Sequence, residues 1–128
     1  IVNVVIGEGG SGGGLGIGYG DQLMMLEHSF YSVISPEGCA SIVWKDQAFV
    51  EEAAENLGLR SQTLLELGIV DKIIPEPPGG AHIDPELTFK TVDKHIYQAL
   101  KKLEAMPVED MLEARYRKIR KIGVFEER

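Results

Sequence analysis

Ile1-Val2-Asn3-Val4-Val5-Ile6 runs directly into Gly7-Glu8-Gly9-Gly10-Ser11-Gly12-Gly13-Gly14, and this junction decides how the chain is read. The first six residues are nearly all apolar and mostly β-branched, the composition of a strand buried on both faces. Nine of the 15 glycines then fall between Gly7 and Gly20. Backbone freedom is thus concentrated directly after a strand, where a chain that must turn tightly or approach another molecule closely needs residues without a Cβ. The run carries neither an initiator Met nor the basic region of a signal peptide. The expectation is a buried strand of a larger fold, with this chain as one segment of it.

The rest of the composition narrows the class. A chain of 128 residues with 44% hydrophobic and 26% charged residues is one ordinary domain's worth. It has no apolar run near the roughly 20 residues that span a bilayer. The balance of 13 basic against 20 acidic residues gives a net charge of -7, which opposes attachment to nucleic acid or anionic lipid. The single cysteine, Cys39, forms no internal disulfide and no cysteine-cluster zinc site; it reads as a small buried residue in a reducing compartment. His28, His82 and His95 lack ligand spacing, so no metal is expected in the chain.

Beyond the glycines, Asp21 to Ser35 reads as short strands, Leu23 to Leu26 and the β-prone Phe30 to Ile34. Ser35-Pro36-Glu37 supplies the cap, the proline and the acid of a helix start. A second helix follows Asp46, with Phe49, Val50, Ala53, Ala54 and Leu57 at helical spacing until Gly58 stops it. A shorter helix fits Ser61 to Leu67, Ile69 to Ile74 reads as a strand, and Pro75 to Gly80 as a loop. Asp84-Pro85-Glu86 repeats the cap signature ahead of an apolar stripe of Phe89, Val92, Ile96, Leu100 and Leu103. The last helix begins at Pro107. Glu109 and Asp110 open it and Arg115, Arg117, Lys118, Arg120 and Lys121 close it, the polarity the helix dipole favours. These cations read as a solvated face. The apolar stripes of the two C-terminal helices predict a buried subunit interface. The sequence shows no internal repeat, and it divides into a body at 1–83 and a helical segment at 84–128.

The glycine stretch admits several chemistries. Gly7-Glu8-Gly9-Gly10-Ser11-Gly12 satisfies G-x-G-x-x-G, with Glu27 at the distance of a ribose-binding acid. A βαβ unit needs a helix of ten or more residues, however, and Gly12 to Gly20 is short and mostly glycine. Gly9-Gly10-Ser11-Gly12-Gly13 satisfies G-x-S-x-G, which would make Ser11 a hydrolase nucleophile. That reading needs a strained turn and a base, and neither His82 nor His95 sits in a context that marks it as one. No Gly-Lys-Ser/Thr follows, which excludes a P-loop. Two readings remain: backbone N–H groups at a helix start forming an oxyanion hole, or glycines that only let a short helix pack closely.

Three stretches carry a resemblance: Gly7-Glu8-Gly9-Gly10-Ser11-Gly12-Gly13; Tyr31-Ser32-Val33-Ile34-Ser35-Pro36-Glu37-Gly38-Cys39-Ala40-Ser41-Ile42; and Ile73-Ile74-Pro75-Glu76-Pro77 with Gly79-Gly80-Ala81-His82. In this order they resemble the alpha subunits of acetyl-CoA carboxylase carboxyltransferase, over essentially the whole chain and over the C-terminal portion of that family. The resemblance implies an α/β crotonase-like (ClpP/crotonase) fold built from ββα units, followed by two C-terminal helices. It implies transfer of a carboxyl group from carboxybiotin, on a biotin carboxyl carrier protein, to acetyl-CoA. The N–H groups of Gly12 and Gly13 would then be the oxyanion hole for the biotin ureido oxygen. Gly10 and Ser11 would shape the approach, and Pro36, Glu37 and Gly38 would form a helix start beside the site.

Gly14 departs from the pattern, since the family leads one to expect Ala there; His82 reads as a structural, hydrogen-bonded histidine, and Trp44 as core or interface. The implied partners are a carboxyltransferase beta subunit in an α2β2 assembly, the carrier protein and biotin carboxylase. Biotin enters as a ligand, zinc belongs to the beta subunit alone, and the compartment is bacterial cytoplasm or plastid stroma. A crotonase-fold hydratase or a hydrolase using Ser11, and a non-catalytic assembly segment, are the competing functions.

Overall fold

In the computed structural model, which describes residues 1–123, the opening run is a strand, β1 (Val2–Val5). It pairs in parallel with β3 (Gln22–Leu26), Val2 against Gln22 and Val5 against Met25. The other edge of β3 pairs in parallel with β5 (Lys72–Ile74), so the sheet order is β1-β3-β5. A central parallel strand is covered on both faces, which is why Leu23-Met24-Met25-Leu26 is apolar without alternation. Its side chains still point alternately up and down. Leu23 and Met25 join Val5, Leu64 and Val70 on one face, whereas Met24 and Leu26 meet Ile74 and Ala99 on the other.

Between β1 and β3 the glycine stretch forms a strand, β2 (Glu8–Gly10), and a helix, α1 (Ser11–Gly18). The helix is 8 residues long, short of the ten or more expected of the helix in a βαβ unit. The crossover is completed by β2 together with α1, and residues 6–21 meet the dozen or more that a parallel connection needs. Glycine costs about 1 kcal/mol relative to Ala in a helix interior, and tertiary contact overrides that cost. The next strand, β4 (Phe30–Ser32), pairs in parallel with β2 and places Tyr31 beneath α1, where its hydroxyl donates to the Gly14 carbonyl. After β4 comes α2 (Pro36–Val43). The order strand, strand, helix therefore occurs twice, β1-β2-α1 and β3-β4-α2, with like strands paired. The repetition is structural and leaves no trace in the sequence.

The predicted caps are present. Ser35 Oγ accepts from the Gly38 N–H at 3.1 Å and Pro36 occupies the first turn of α2. Asp46 accepts from the Ala48 N–H at 2.9 Å and opens a 3-10 turn, Gln47–Phe49, leading into α3 (Val50–Leu57). Gly58 ends α3 in the left-handed conformation, φ 60. Trp44 is half-buried and stacks on Phe49. Next comes α4 (Ser61–Glu66). The strand predicted over 69–74 is regular only at Lys72–Ile74, although Val70 is buried and the Asp71 N–H extends the ladder to the Leu23 carbonyl at 2.8 Å.

Asp84 accepts from the Leu87 N–H at 3.0 Å and starts α5 (Pro85–Glu104). Its packed face is Val92, Ile96 and Ala99, against the Met24, Leu26 and Ile74 side of the sheet. The stripe read from sequence was too wide. Phe89 is 70% exposed and Leu100 44% exposed, because at about 100° per residue both stand on the same rim of that face. The last helix is α6 (Val108–Arg120). The final five residues of the predicted 84–128 segment lie outside the described residues. Among the described residues no helix is long and apolar enough to cross a membrane.

Candidate functional site

The site begins where β2 becomes α1. Gly10 is extended at φ -151, and the chain then turns through Ser11 at φ 57. The left-handed region costs a residue with a Cβ about 1–2 kcal/mol. No side chain caps α1, and its first turn contains no acid. The N–H groups of Ser11, Gly12 and Gly13 therefore have no acceptor within the helix or from a cap, and the positive end of the helix is left unneutralised.

The glycines of this region sort by face. A Cβ on Gly9 would stand 2.7 Å from Tyr31 Cδ2, one on Gly14 would sit 3.4 Å from Tyr31 Cε2, and one on Gly18 would overlap the Tyr31 hydroxyl. These three line the inner side. On the outer side a Cβ on Gly12, Gly13 or Gly16 would meet nothing within 4 Å. Close packing and an open backbone were competing readings of one stretch, and each describes a different set of its glycines. Burial pushes the Tyr31 phenol up from its ordinary pKa, with the Gly18 backbone pulling the other way.

Beside this turn lies a cleft of about 520 Å³, lined by Glu8, Gly10, Ser11, Phe30, Ser32, Ile34, Ser35, Pro36 and Glu37. Parallel pairing builds it, because Glu8 stands opposite Phe30 and Gly10 opposite Ser32, so alternate residues of β2 and β4 share one face. Of the residues singled out from sequence, the fold brings Gly10, Ser11, Pro36 and Glu37 together here. Gly12 and Gly13 stand exposed just past the cleft in the first turn of α1. Gly38 is not in the lining. A Cβ there would lie 2.8 Å from Ile34 Cγ1 and 3.3 Å from Ser35 Oγ, so Gly38 lets the cap of α2 close.

Glu8, Ser32 and Phe30 line the cleft, and sequence reading did not single them out for it. Their only signal was period-two alternation with Gly10, hidden because β2 is three residues long.

A larger cleft, of about 670 Å³, lies among Glu27, His28, Phe30, Arg60 and Pro75. It contains no open glycine backbone and no helix start longer than α4. No histidine lines the cleft beside α1. His95 Nδ1 lies 2.8 Å from the Thr91 carbonyl on its own helix, and the His82 ring lies against Gly80. Ser11 therefore stands on the strained turn that a nucleophile elbow needs, without the base. Among the described residues no three His, Cys, Asp or Glu side chains converge in a way that would hold a metal ion.

Behind the site, α6 is fastened to the sheet. Arg115 Nε and Nη2 each donate to Asp21 at 2.8 Å, with Arg115 12% and Asp21 3% exposed. Lys118 Nζ donates to Asp71 Oδ2 at 2.8 Å and to the Asp21 carbonyl at 3.2 Å. This corrects the solvated reading for Arg115 and Lys118. The acids that hold them are 94 and 47 residues away along the chain, a pairing helical periodicity does not disclose.

Comparisons with known proteins place the chain in a family. The acetyl-coenzyme A carboxylase carboxyl transferase alpha subunit of Fusobacterium nucleatum is 55% identical over 125 residues, covering 98% of this chain and 40% of that protein. The same subunit of Methylococcus capsulatus is 54% identical over 127 residues, 99% of this chain and 40% of the relative. That of Xanthomonas axonopodis pv. citri is 52% identical over 126 residues. The chain thus spans about 40% of the length of the curated relatives it matches. A family model matches residues 1–123, nearly the whole chain, and the chain accordingly belongs to the acetyl co-enzyme A carboxylase carboxyltransferase-like family.

Proposed function

We propose that this chain supplies the biotin side of a carboxyltransferase site, with the N–H groups of Gly12 and Gly13 as the oxyanion hole for the biotin ureido oxygen. The observation that carries the reading is the outer face of α1. Gly12 and Gly13 are not held to glycine by a positive φ or by any neighbour within 4 Å, so nothing in the chain's own packing requires the absence of a side chain. An approaching ligand does. Carboxybiotin, when bound, supplies the carboxyl group and places developing negative charge on its ureido oxygen. Two preorganised N–H groups at an uncapped helix start stabilise such charge without reorganising. Ser11 and Gly10 border the approach from one side of the cleft, Pro36 and Glu37 from the other.

In this reading the protein acts with a beta subunit that holds acetyl-CoA, in an α2β2 complex served by the biotin carboxyl carrier protein and biotin carboxylase. The fold is the crotonase type, which the doubled strand-strand-helix order supports. The exposed apolar rims of α5 and α6 are covered by subunit contact.

Biotin-dependent decarboxylation of malonyl-CoA by the full-length protein assembled with its beta subunit tests the mechanism. Gly13→Pro removes one donor and is expected to cost at least roughly 10²–10³ in rate. Gly12→Val keeps its donor and meets no neighbour in the chain, so its loss reports obstruction of the ligand. Ser11→Ala keeps every N–H and should stay within about tenfold. The strained φ of Ser11 favours a second reading, a hydrolase nucleophile, for which Ser11→Ala costs several powers of ten. An inactive Ser11→Ala beside an active Gly13→Pro, both assembled, overturns the backbone mechanism.

A further inference from the structure

The apolar residues of α1 do not hold it in place: Leu15 is 72% exposed and Ile17 43%. Two side chains tie the helix down. Asn3 Nδ2 donates to the Ile17 carbonyl at its C-terminal end, and the Tyr31 hydroxyl donates to the Gly14 carbonyl nearer its start. Tyr31 also accounts for two of the inner glycines, since a Cβ at Gly9 would crowd its ring and one at Gly18 its hydroxyl. Tyr31 is itself fixed, because β4 pairs Tyr31 with Gly9 on β2, the strand that feeds α1.

We infer that Tyr31 is a positioning residue for the carboxyl-transfer site, setting through the Gly14 carbonyl where the N–H groups of Gly12 and Gly13 stand. The inference rests on the reading of those two groups as oxyanion donors. A donor displaced by a fraction of an ångström still permits binding of the remote parts of the substrate but stabilises the developing charge less well, so the effect belongs in kcat.

The test uses the full-length protein assembled with its beta subunit, with malonyl-CoA and free biotin as substrates and rates expressed per assembled complex. Tyr31→Phe keeps the ring and removes the hydroxyl. It is expected to lower kcat roughly three- to tenfold, the worth of one hydrogen bond, with KM for malonyl-CoA within about twofold. Gly18→Ala places a methyl group on the hydroxyl and should lower kcat at least as much. Once Tyr31→Phe is added, the nearest remaining ring atom is Cζ at 3.5 Å, an ordinary contact, so the double variant should return to the level of Tyr31→Phe alone. A wild-type kcat in assembled Tyr31→Phe, even with a lowered melting temperature, overturns the inference. So does a Gly18→Ala defect that Tyr31→Phe does not relieve. Gly13→Pro run alongside separates the two ideas. If it is inactive while Tyr31→Phe is unimpaired, the positioning role alone fails; if it is fully active, the oxyanion reading fails.

Discussion

Asp21 shows how one buried charge is made tolerable. Burial by itself would raise its pKa, whereas the hydrogen bonds and charge of the Arg115 guanidinium lower it, and the carboxyl is held below the usual aspartate range. The same contact raises Arg115. A carboxylate with a lowered native pKa stabilises the fold fully above its unfolded value, about 4, and loses that contribution as pH falls through the native value. Wild-type stability should therefore decline below about pH 4, and less steeply in Asp21→Asn. At neutral pH, Asp21→Asn leaves Arg115 without its counter-charge and should cost about 3 kcal/mol, read as a lower urea midpoint. Identical pH slopes in the two proteins would remove Asp21 from this role.

At the scale of elements, α1 is a helix whose sequence opposes it and whose neighbours impose it. Gly14 is buried, yet a Cβ there would make only ordinary contacts, 3.4 to 3.6 Å from Tyr31, Gly9 and Ser32 atoms. Alanine, which the family resemblance leads one to expect at this position, fits. Gly14→Ala should therefore stabilise the protein by about 0.5–1 kcal/mol through helix propensity, whereas Gly18→Ala destabilises it. Thermal unfolding of the two variants checks the contrast, and a lowered melting temperature for Gly14→Ala contradicts it. For α2, loss of the Ser35 cap in Ser35→Ala should cost about 1 kcal/mol.

Considered whole, the molecule covers its sheet incompletely. Among the described residues the outer edge of β1 pairs with no strand, and Ile6, Leu15, Val33, Ile42 and Phe89 are all exposed. Open parallel edges and apolar surface favour association. The 128-residue chain expressed alone should self-associate and show no carboxyl transfer, and a monodisperse, cooperatively unfolding chain in sedimentation and denaturation would count against this. No residue of α6 is fully buried, and Leu112 and Tyr116 face outward. Charging both, as Leu112→Asp with Tyr116→Asp, spares the Arg115 and Lys118 ties. It should reduce the mass of the assembled complex while changing the chain's own stability by no more than about 0.5 kcal/mol. Unchanged mass would free α6 from the interface.

The sequence by itself determined the features whose causes are local. Ser35, Asp46 and Asp84 cap because a short polar side chain reaches N–H groups two or three residues on; Gly58 stops a helix because φ 60 suits it; and the opening apolar run is a strand because it is short and rich in β-branched residues. The helix start at Pro36 and Glu37 was legible for the same reason, whereas its nearness to the glycine turn came into the reading only through the family resemblance. Only the tertiary structure decided that Gly12 to Gly18 coils into a helix, because the stabilising contact comes from Tyr31 on a neighbouring strand. It alone revealed the doubled strand-strand-helix order, since hydrogen-bonded backbone, not side-chain identity, repeats. It alone gave Arg115 to Asp21 and Lys118 to Asp71, placed Glu8 and Ser32 in the cleft, and divided the glycines into a packed face and an open one. Each of these depends on which segments meet in space, and no spacing along the chain encodes the distance between groups that only folding brings together.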